Sequence, residues 1–587
     1  MANIMTLKSI KNKASRNGFD LSRKLNFTAK CGELLPIVNL PVIPGDVYDI
    51  DLRSMVRTQP VNTAAFARMR EYYDFYFVPY NLLWNKAGTF FTQMNDNPQH
   101  AVSADPTSNS TLSGELPYVT CQDIADYLYS IRPGNSTSYP ADNYFGYDRS
   151  LCSAKLLEYL GYGNFYTYAG DTAKEYSAAP LMSNLELNLF GLLAYQKIYA
   201  DYYRDSQWEK IVPATFNVDY IAGTNDLNFS DNVSLANFAK HYNFFDLRYC
   251  NWQKDLFHGV VPQAQYGDVA VAPLATGGVI NLGLSGMNTS DLKGTFPNGA
   301  GTAYVQQGNL NLSNSIPNTA GISILALRQY EFLQKWKEIA MSANKDYKSQ
   351  IEKHWNVSVP DAMSEQCMYL GGITSNIDIN EVVNTNITAD NAADIAGKGV
   401  GVSNGKIHFE NTFNTYGCIM CIYHCLPLLD YTTDYCDPMH TKINATDFAI
   451  PEFDRVGMQP VYLNQITNPL QSIIDGSSLI LGYAPRYIEY KTAIDRSFGA
   501  FKTSMSSWVM SYGNESIANQ MSITDETTDP EPSTGVMNYT MFKVNPNCVD
   551  PIFAVAADSS IDTDQLRCST FFDIKAVRNL DTDGLPY

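Results

Sequence analysis

The sequence predicts a mainly β protein, a sandwich of two antiparallel sheets, with several α-helices carried on long insertions. Three observations lead there. Period-two alternation stands near both ends of the chain, helical spacing is confined to the middle, and between them run long stretches rich in Gly, Asn, Ser and Thr. Two sheets can bury their inner faces against each other while loops of any length leave their ends, because lengthening a loop adds little closure entropy. Strands distant in sequence must then pair, and periodicity alone does not give their order.

In DVYDIDLRS, Tyr48, Ile50 and Leu52 alternate with Asp49, Asp51 and Arg53, the period of a half-buried strand, after a Pro44-Gly45 turn. RMREYYDFYFVPY repeats the pattern, with Met69, Tyr73, Phe75 and Phe77 on one face and Pro79 ending it. LELNLFGLLAYQKIYADYYRDSQW then places Leu189, Leu193, Ile198, Tyr199 and Tyr202 at near-helical spacing, and ILALRQYEFLQKWKEIA does so with Leu325, Phe332, Trp336 and Ile339. Strands return in YGCIMCIYHCLPLLDY, from Tyr416 to Tyr431, and in STFFDIKAVR. The segments 95–114, 274–321 and 375–405 have length without strong periodicity, as exposed functional loops do. Insertions are accordingly expected at about residues 85–215, 271–321 and 375–405 of a body spanning 31–587.

At 587 residues the chain exceeds the roughly 250–300 at which one core stops growing, so a scaffold with insertions fits it. Only 17% of residues are charged, while 39 Tyr and 28 Phe suit broad, partly polar contact surfaces. The formal net charge of −19 argues against the whole chain as a binder of nucleic acid or of anionic membrane. Yet residues 1–30 carry seven basic side chains against the single acid Asp20, giving this arm +6 and leaving −25 for the rest. Lys8, Lys11, Lys13, Arg16, Arg23 and Lys24 are candidate DNA contacts, with Phe19 and Phe27 able to stack on bases; a solvated tail remains the alternative. No stretch has the 18 apolar residues of a membrane span and the N-terminus lacks the apolar centre of a signal peptide, so residence in a cytoplasm is expected. Eleven cysteines, odd in number and sparse, read as reduced thiols.

CIMCIYHC offers Cys418, Cys421, His424 and Cys425, with Cys436 further on, and CxxC is a familiar zinc spacing. The residues between read as a strand, which points Cys418 and Cys421 to opposite faces, so buried thiols are the better reading and no metal or cofactor is expected. HExxH, GxSxG and Walker A sequences are absent, leaving no catalytic constellation.

Several segments, in order, resemble the major capsid proteins of the microviruses, above all the gokushovirus-like branches found with gut bacteria. They are LLPIVNLPVIPGDVYDIDL, YFVPYNLLW, AYQKIYADYYRDSQW, LRYCNWQKDLFHGVVPQAQYGD, LRQYEFLQKWKEIA, YKSQIEKHWNVSVPDAMSEQCMYLGG, GYAPRYIEYKTAIDRSFGAF and STFFDIKAVRNL, spanning about 34–580. Phe257, His258 and Gly259 depart from the family's Pro-Trp-Pro-Gln type of segment. The resemblance implies a single eight-stranded jelly roll with long inserted loops, repeated in a T=1 icosahedral shell around circular single-stranded DNA. It also implies a small basic DNA-packaging protein, a minor pilot or spike protein, a host receptor met by exposed loops, assembly in the bacterial host cytoplasm and a place in the virion. Residues 274–321 are the candidate outward loop.

Under that resemblance GYAPRYIEYKTAIDRSFGAF reads as a packing joint, within a subunit or between subunits. Tyr483, Tyr487 and Tyr490 supply rigid area, Arg486 and Glu489 can pair locally or across a boundary, and Lys491 adds charge. Two rival classes remain to be discriminated: a glycan-active β-sandwich enzyme, and a phage receptor-binding spike.

Overall fold

The computed structural model describes residues 15–61, 65–92, 116–133, 143–166, 185–220, 244–270, 293–295, 302–304, 324–383, 395–409, 413–431, 436–466, 480–512, 539–553 and 564–582. The chain divides into two compact units, Met1–Ala264 with Ala343–Tyr587, and Gln265–Ser342.

The strands before residue 100 are β1 (Asn17–Asp20), β2 (Arg23–Ala29), β3 (Leu35–Val42), β4 (Val47–Val61) and β5 (Met69–Pro79). Short strands follow: β6 (Tyr118–Thr120) pairs with β7 (Glu186–Asn188), and in the second unit β8 (Lys293–Thr295) pairs with β9 (Thr302–Tyr304). Then come β10 (Met368–Val383), β11 (Ile395–Phe409), β12 (Gly417–Pro427), β13 (Asp430–Tyr431), β14 (Met458–Tyr462), β15 (Ile480–Pro485), β16 (Ser511–Tyr512) and β17 (Leu566–Arg578). The helices are α1 (Ala87–Thr92), α2 (Cys121–Ile131), α3 (Arg149–Leu160), α4 (Phe190–Ile198), α5 (Ile324–Met341) and α6 (Tyr347–Trp355).

One curled antiparallel sheet carries the first unit. β1 and β2 lie along one edge of β17, and the order continues β17, β4, β11, β10, β5, β12, β3. β10 changes partner midway, pairing with β5 from Met368 to Ile377 and with β11 from Ile377 to Val383. There the sheet turns over, so that β2, β17 and β4 face β5 and β12. Phe75 meets Phe572 at 6.4 Å, Tyr423 meets Phe27 at 5.0 Å, and the Tyr73 hydroxyl is shared with Ser54 Oγ at 2.5 Å and Thr570 Oγ1 at 3.2 Å. Tyr73 thus brings a large apolar area inside and satisfies its hydroxyl there.

The alternation expected around Tyr48 and around Tyr73 is realised in β4 and β5, whose Tyr48, Ile50, Leu52, Tyr73, Phe75 and Phe77 are all buried. β12 is buried on both faces, because α4 covers the side turned away from β17. Phe190 of α4 stacks on Tyr80 at 4.3 Å, and Tyr195 donates to the Leu34 carbonyl at 2.9 Å. Among the described residues, all six helices fall between β5 and β10 in the sequence.

The expected loop at 375–405 is corrected. Most of it is the hairpin of β10 and β11; only 384–394 lies outside the described residues. Its Asn and Gly content hid a period of two in Asn376-Ile377-Asp378-Ile379-Asn380. Of 274–321, only the β8 and β9 hairpin residues are described. In the second unit α5 keeps much of its apolar stripe in solvent, Leu325 and Phe332 being 66% exposed.

Candidate functional site: the Tyr483 to Lys491 joint

β14 and β15 form an antiparallel hairpin with Pro460 opposite Tyr483 and Val461 opposite Gly482. Gly482 is required by crowding: a Cβ there would stand 2.7 Å from Val260 Cγ2 and 2.9 Å from the Val261 carbonyl oxygen. That close approach lets Val261 and Tyr483 exchange backbone hydrogen bonds of 2.9 and 2.7 Å. The chain leaves β15 at Pro485 and turns through Tyr487, whose φ of 57° is left-handed, into a short 3-10 turn at Ile488–Tyr490.

This turn borders a cavity of about 410 Å³, whose polar lining includes Lys442, Asp447, Gln459, Arg486, Tyr487 and Glu489. The Glu489 carboxylate is fully engaged: Lys442 Nζ bonds Oε1, and Gln459 Nε2 donates to Oε2 at 2.8 Å. Lys442 Nζ also donates to the Asp447 carbonyl at 2.7 Å, and Gln459 Oε1 accepts from the Tyr487 amide at 2.8 Å. Burial pushes the Glu489 carboxyl up, but the bonds from Lys442 and Gln459 outweigh it and hold it below its usual value.

Within the subunit Glu489 therefore pairs with Lys442 rather than locally with Arg486. Arg486 stands three positions from Glu489 in the sequence, but Lys442 arrives from a segment 47 residues away. The Arg486 guanidinium lies 5.1 Å from the Tyr487 ring centre instead, a cation over an aromatic face. Tyr490 is exposed and meets Tyr487 edge-on at 6.3 Å. Lys491 pairs with Asp454 at 2.7 Å with both side chains 45% exposed, a contact of little weight.

Among the basic arm residues, Lys8, Lys11 and Lys13 lie outside the described residues. Arg16 donates to the Gly45 carbonyl at 3.2 Å. Arg23 and Lys24 stand in β2, opposite Phe572 and Phe571 of β17. Cys418, Cys421, His424 and Cys425 are all buried in β12; Cys436 lies beyond it, at the surface margin. Burial raises the Cys418 thiol to about 12 and lowers His424 to about 3, and no group of three or more metal-ligating side chains converges among the described residues.

One cluster escaped the sequence reading. Tyr431 donates to Asp255 Oδ2 at 2.6 Å, and His258 Nδ1 lies 2.8 Å from the same hydroxyl. Burial would raise Asp255, but hydrogen bonds and charge from His258 and the bond from Tyr431 bring it to about 2. His258 is itself fully buried, so the chain of polar groups ties β13 to the 255–258 turn and serves packing. Asp255 and His258 are a helical spacing apart, but nothing in sequence points to Tyr431, 176 residues from Asp255.

A family described as "Capsid protein (F protein)" matches the chain over residues 8–142 and 167–587. The chain is 22% identical over 563 residues to the capsid protein VP1 of Chlamydia phage 1, covering 84% of this chain and 86% of that protein. It is also 22% identical over 510 residues to the capsid protein VP1 of Bdellovibrio phage phiMH2K, covering 83% of each.

Proposed function

The chain belongs to the phage capsid protein (F protein) family, and from that premise we propose that it is the repeating subunit of a T=1 icosahedral shell around circular single-stranded DNA. Its role is structural, as a capsid protein assembling with copies of itself in the virion. The family match, over residues 8–142 and 167–587, carries this reading and disfavours a glycan-active enzyme or a spike. Closed symmetry repeats one modest contact around every axis, so no single seam has to be strong. The exposed Leu325 and Phe332 of α5 support such seams, since contiguous apolar surface on a subunit marks contact.

The fold we propose is a single jelly roll. Strand order supports it: β2, β17, β4 and β11 neighbour one another on one side of the turn at Ile377, and β3, β12, β5 and β10 on the other. That interleaving of early and late strands is what an eight-stranded double Greek key would produce. The same reading includes a basic packaging protein, a pilot or spike protein, a receptor met by exposed loops, and assembly in the host cytoplasm. The acidic body supports the first, because it repels DNA unless something basic lies between.

Electron microscopy of the expressed protein tests this: uniform spherical shells are expected, and a persistent monomer that cleaves oligosaccharides would end it. Deleting residues 1–14 removes Lys8, Lys11 and Lys13 while leaving β1 and β2 along β17, so shells are expected to form with less DNA per particle. The ultraviolet absorbance ratio of purified particles reads this, and an unchanged ratio counts against an inner, DNA-contacting arm.

A further inference from the structure

Three ionisable side chains meet away from solvent in the first unit. Lys155 Nζ, on α3, stands 2.7 Å from Glu33 Oε2 and 2.7 Å from Asp564 Oδ2, and none of the three side chains is more than 3% exposed. Leu34, beside Glu33, and Leu566, two residues after Asp564, are buried with them. Asp564 Oδ2 also accepts from Thr28 Oγ1 at 2.7 Å, while its Oδ1 is buried with no hydrogen-bond partner. An ammonium and a carboxylate held out of water carry a desolvation cost that an uncharged group in their place does not. Their contact also removes most of the entropic barrier to a reaction between them, since the two groups already touch in one fixed arrangement. Condensation of the amine with the carboxyl group is such a reaction, and it replaces two buried ions by one neutral amide.

We propose that Lys155 and Asp564 join in the folded subunit through an isopeptide bond, with Glu33 as the proton carrier. At rest the lysine is charged. One proton passing along its 2.7 Å contact to Oδ2 leaves a neutral amine beside a carboxylic acid. Nζ then attacks Cγ of Asp564. The Nζ–Cγ bond forms, Glu33 takes a second proton from the nitrogen and delivers it to the Oδ2 hydroxyl, and the Cγ–Oδ2 bond breaks to release water. The nitrogen has given up two of its three protons, Oδ1 stays as the amide oxygen, and the step needs no oxidant, reductant or cofactor. Glu33 is placed for this by its own 2.7 Å contact to Nζ, and burial pushes its carboxyl up, as suits a group that must hold a proton near neutrality. The Thr28 hydroxyl donates to the oxygen that leaves. The event happens once in each subunit and ties α3 to the segment before β17, across a separation of 409 residues.

The intact mass of the full chain, denatured after folding, tests this. The native chain should be lighter than its sequence mass by one water, about 18 Da, in a fraction that grows as the folded protein is incubated. A protease digest should then yield one branched peptide joining Lys155 to Asp564. Native chain kept in urea from the start should hold its full mass, because the contact exists only once α3 and the segment before β17 have met. Glu33→Gln keeps the side-chain volume and removes the proton carrier, so closure, followed on variant that still melts cooperatively, should be about a hundredfold slower. Full mass in folded native chain after long incubation, or loss of water without the branched peptide, overturns the bond. Equal closure rates in the native chain and Glu33→Gln overturn Glu33 as the carrier. The native mass alone decides the bond if Glu33→Gln fails to fold, and the outcome is independent of whether the chain forms shells.

Discussion

Replacing Lys155 by methionine should unfold the subunit or cost it about 3–5 kcal/mol, the loss that follows when one partner of a buried ionic group is removed. Lys155 Nζ stands 2.7 Å from Glu33 Oε2 and 2.7 Å from Asp564 Oδ2, and all three side chains are at most 3% exposed. Burial alone would lower the lysine, but the two carboxylates hold it charged. Glu33 is pushed up by the same burial, Lys155 being what opposes it. Methionine keeps the stem and leaves two carboxylates facing each other in a dry interior, where a single charge is hard to sustain. The group joins α3 to the turn before β3 and to the residue two before β17, segments 122 and 409 residues from Lys155. Urea melts of the native chain and the variant measure the loss; a difference under about 1 kcal/mol would show that these segments are held by packing alone. Adding Glu33→Gln and Asp564→Asn to Lys155→Met should return a good part of it, because no uncompensated charge then remains.

The same triad explains why α3 did not announce itself in sequence. A helix is legible when apolar residues repeat on one face, but α3 buries Arg149, Ser150, Ser153 and Lys155 beside Ala154, Leu156 and Leu157. Its polar side chains face inward to serve Glu33, Asp246 and Asp564, which erases the stripe. Its ends were marked: Asp148 accepts from the amides of Ser150 and Leu151, and Gly161 closes it at a φ of 87°. β4, β5, β12 and β17 were readable because each has one continuous apolar face or is apolar throughout. α5 was readable for the opposite reason: its stripe is clear in sequence, and in the subunit Leu325 and Phe332 remain exposed.

In the stretch from Tyr483 to Lys491, the sequence singled out side chains whose partners within the subunit only the structure supplies. Tyr487 and Arg486 were visible as interface-type residues, yet Lys442 and Gln459, which fix Glu489, come from 47 and 30 residues away. Local spacing carries no information about such pairs, since they exist only once β14 and β15 have brought distant segments together.

Glu71 gives the subunit a pH dependence opposite to that of an ordinary ion-paired acid. It lies fully buried in β5, with Ser375 Oγ donating to Oε1 and the Tyr73 hydroxyl 3.5 Å from Oε2. Burial raises its carboxyl to about 7 from an ordinary 4.5, and the bonds from Ser375 and Tyr73 only partly oppose this. The folded state therefore holds a proton that the unfolded chain has released between those values, so the Glu71 contribution is full below about 4.5 and is lost as pH rises through about 7. The gap corresponds to roughly 3 kcal/mol. Around the carboxyl stand the thiols of Cys425 and Cys568 and the phenol of Tyr73, all neutral at these pH values: a bond with Cys31 and then burial raise Cys425, and burial raises Cys568 and Tyr73. Among the described residues, no cation is paired with this carboxylate. Glu71→Gln keeps an acceptor for Ser375 and Tyr73 and cannot ionise, so its stability relative to the native chain should rise by about 2–3 kcal/mol between pH 5 and pH 8. Paired urea melts across that range read the difference directly, and because the other titrating groups are common to both chains they largely cancel. A flat difference would mean that Glu71 is already ionised at pH 5, with water or a cation reaching its carboxylate inside the sheet.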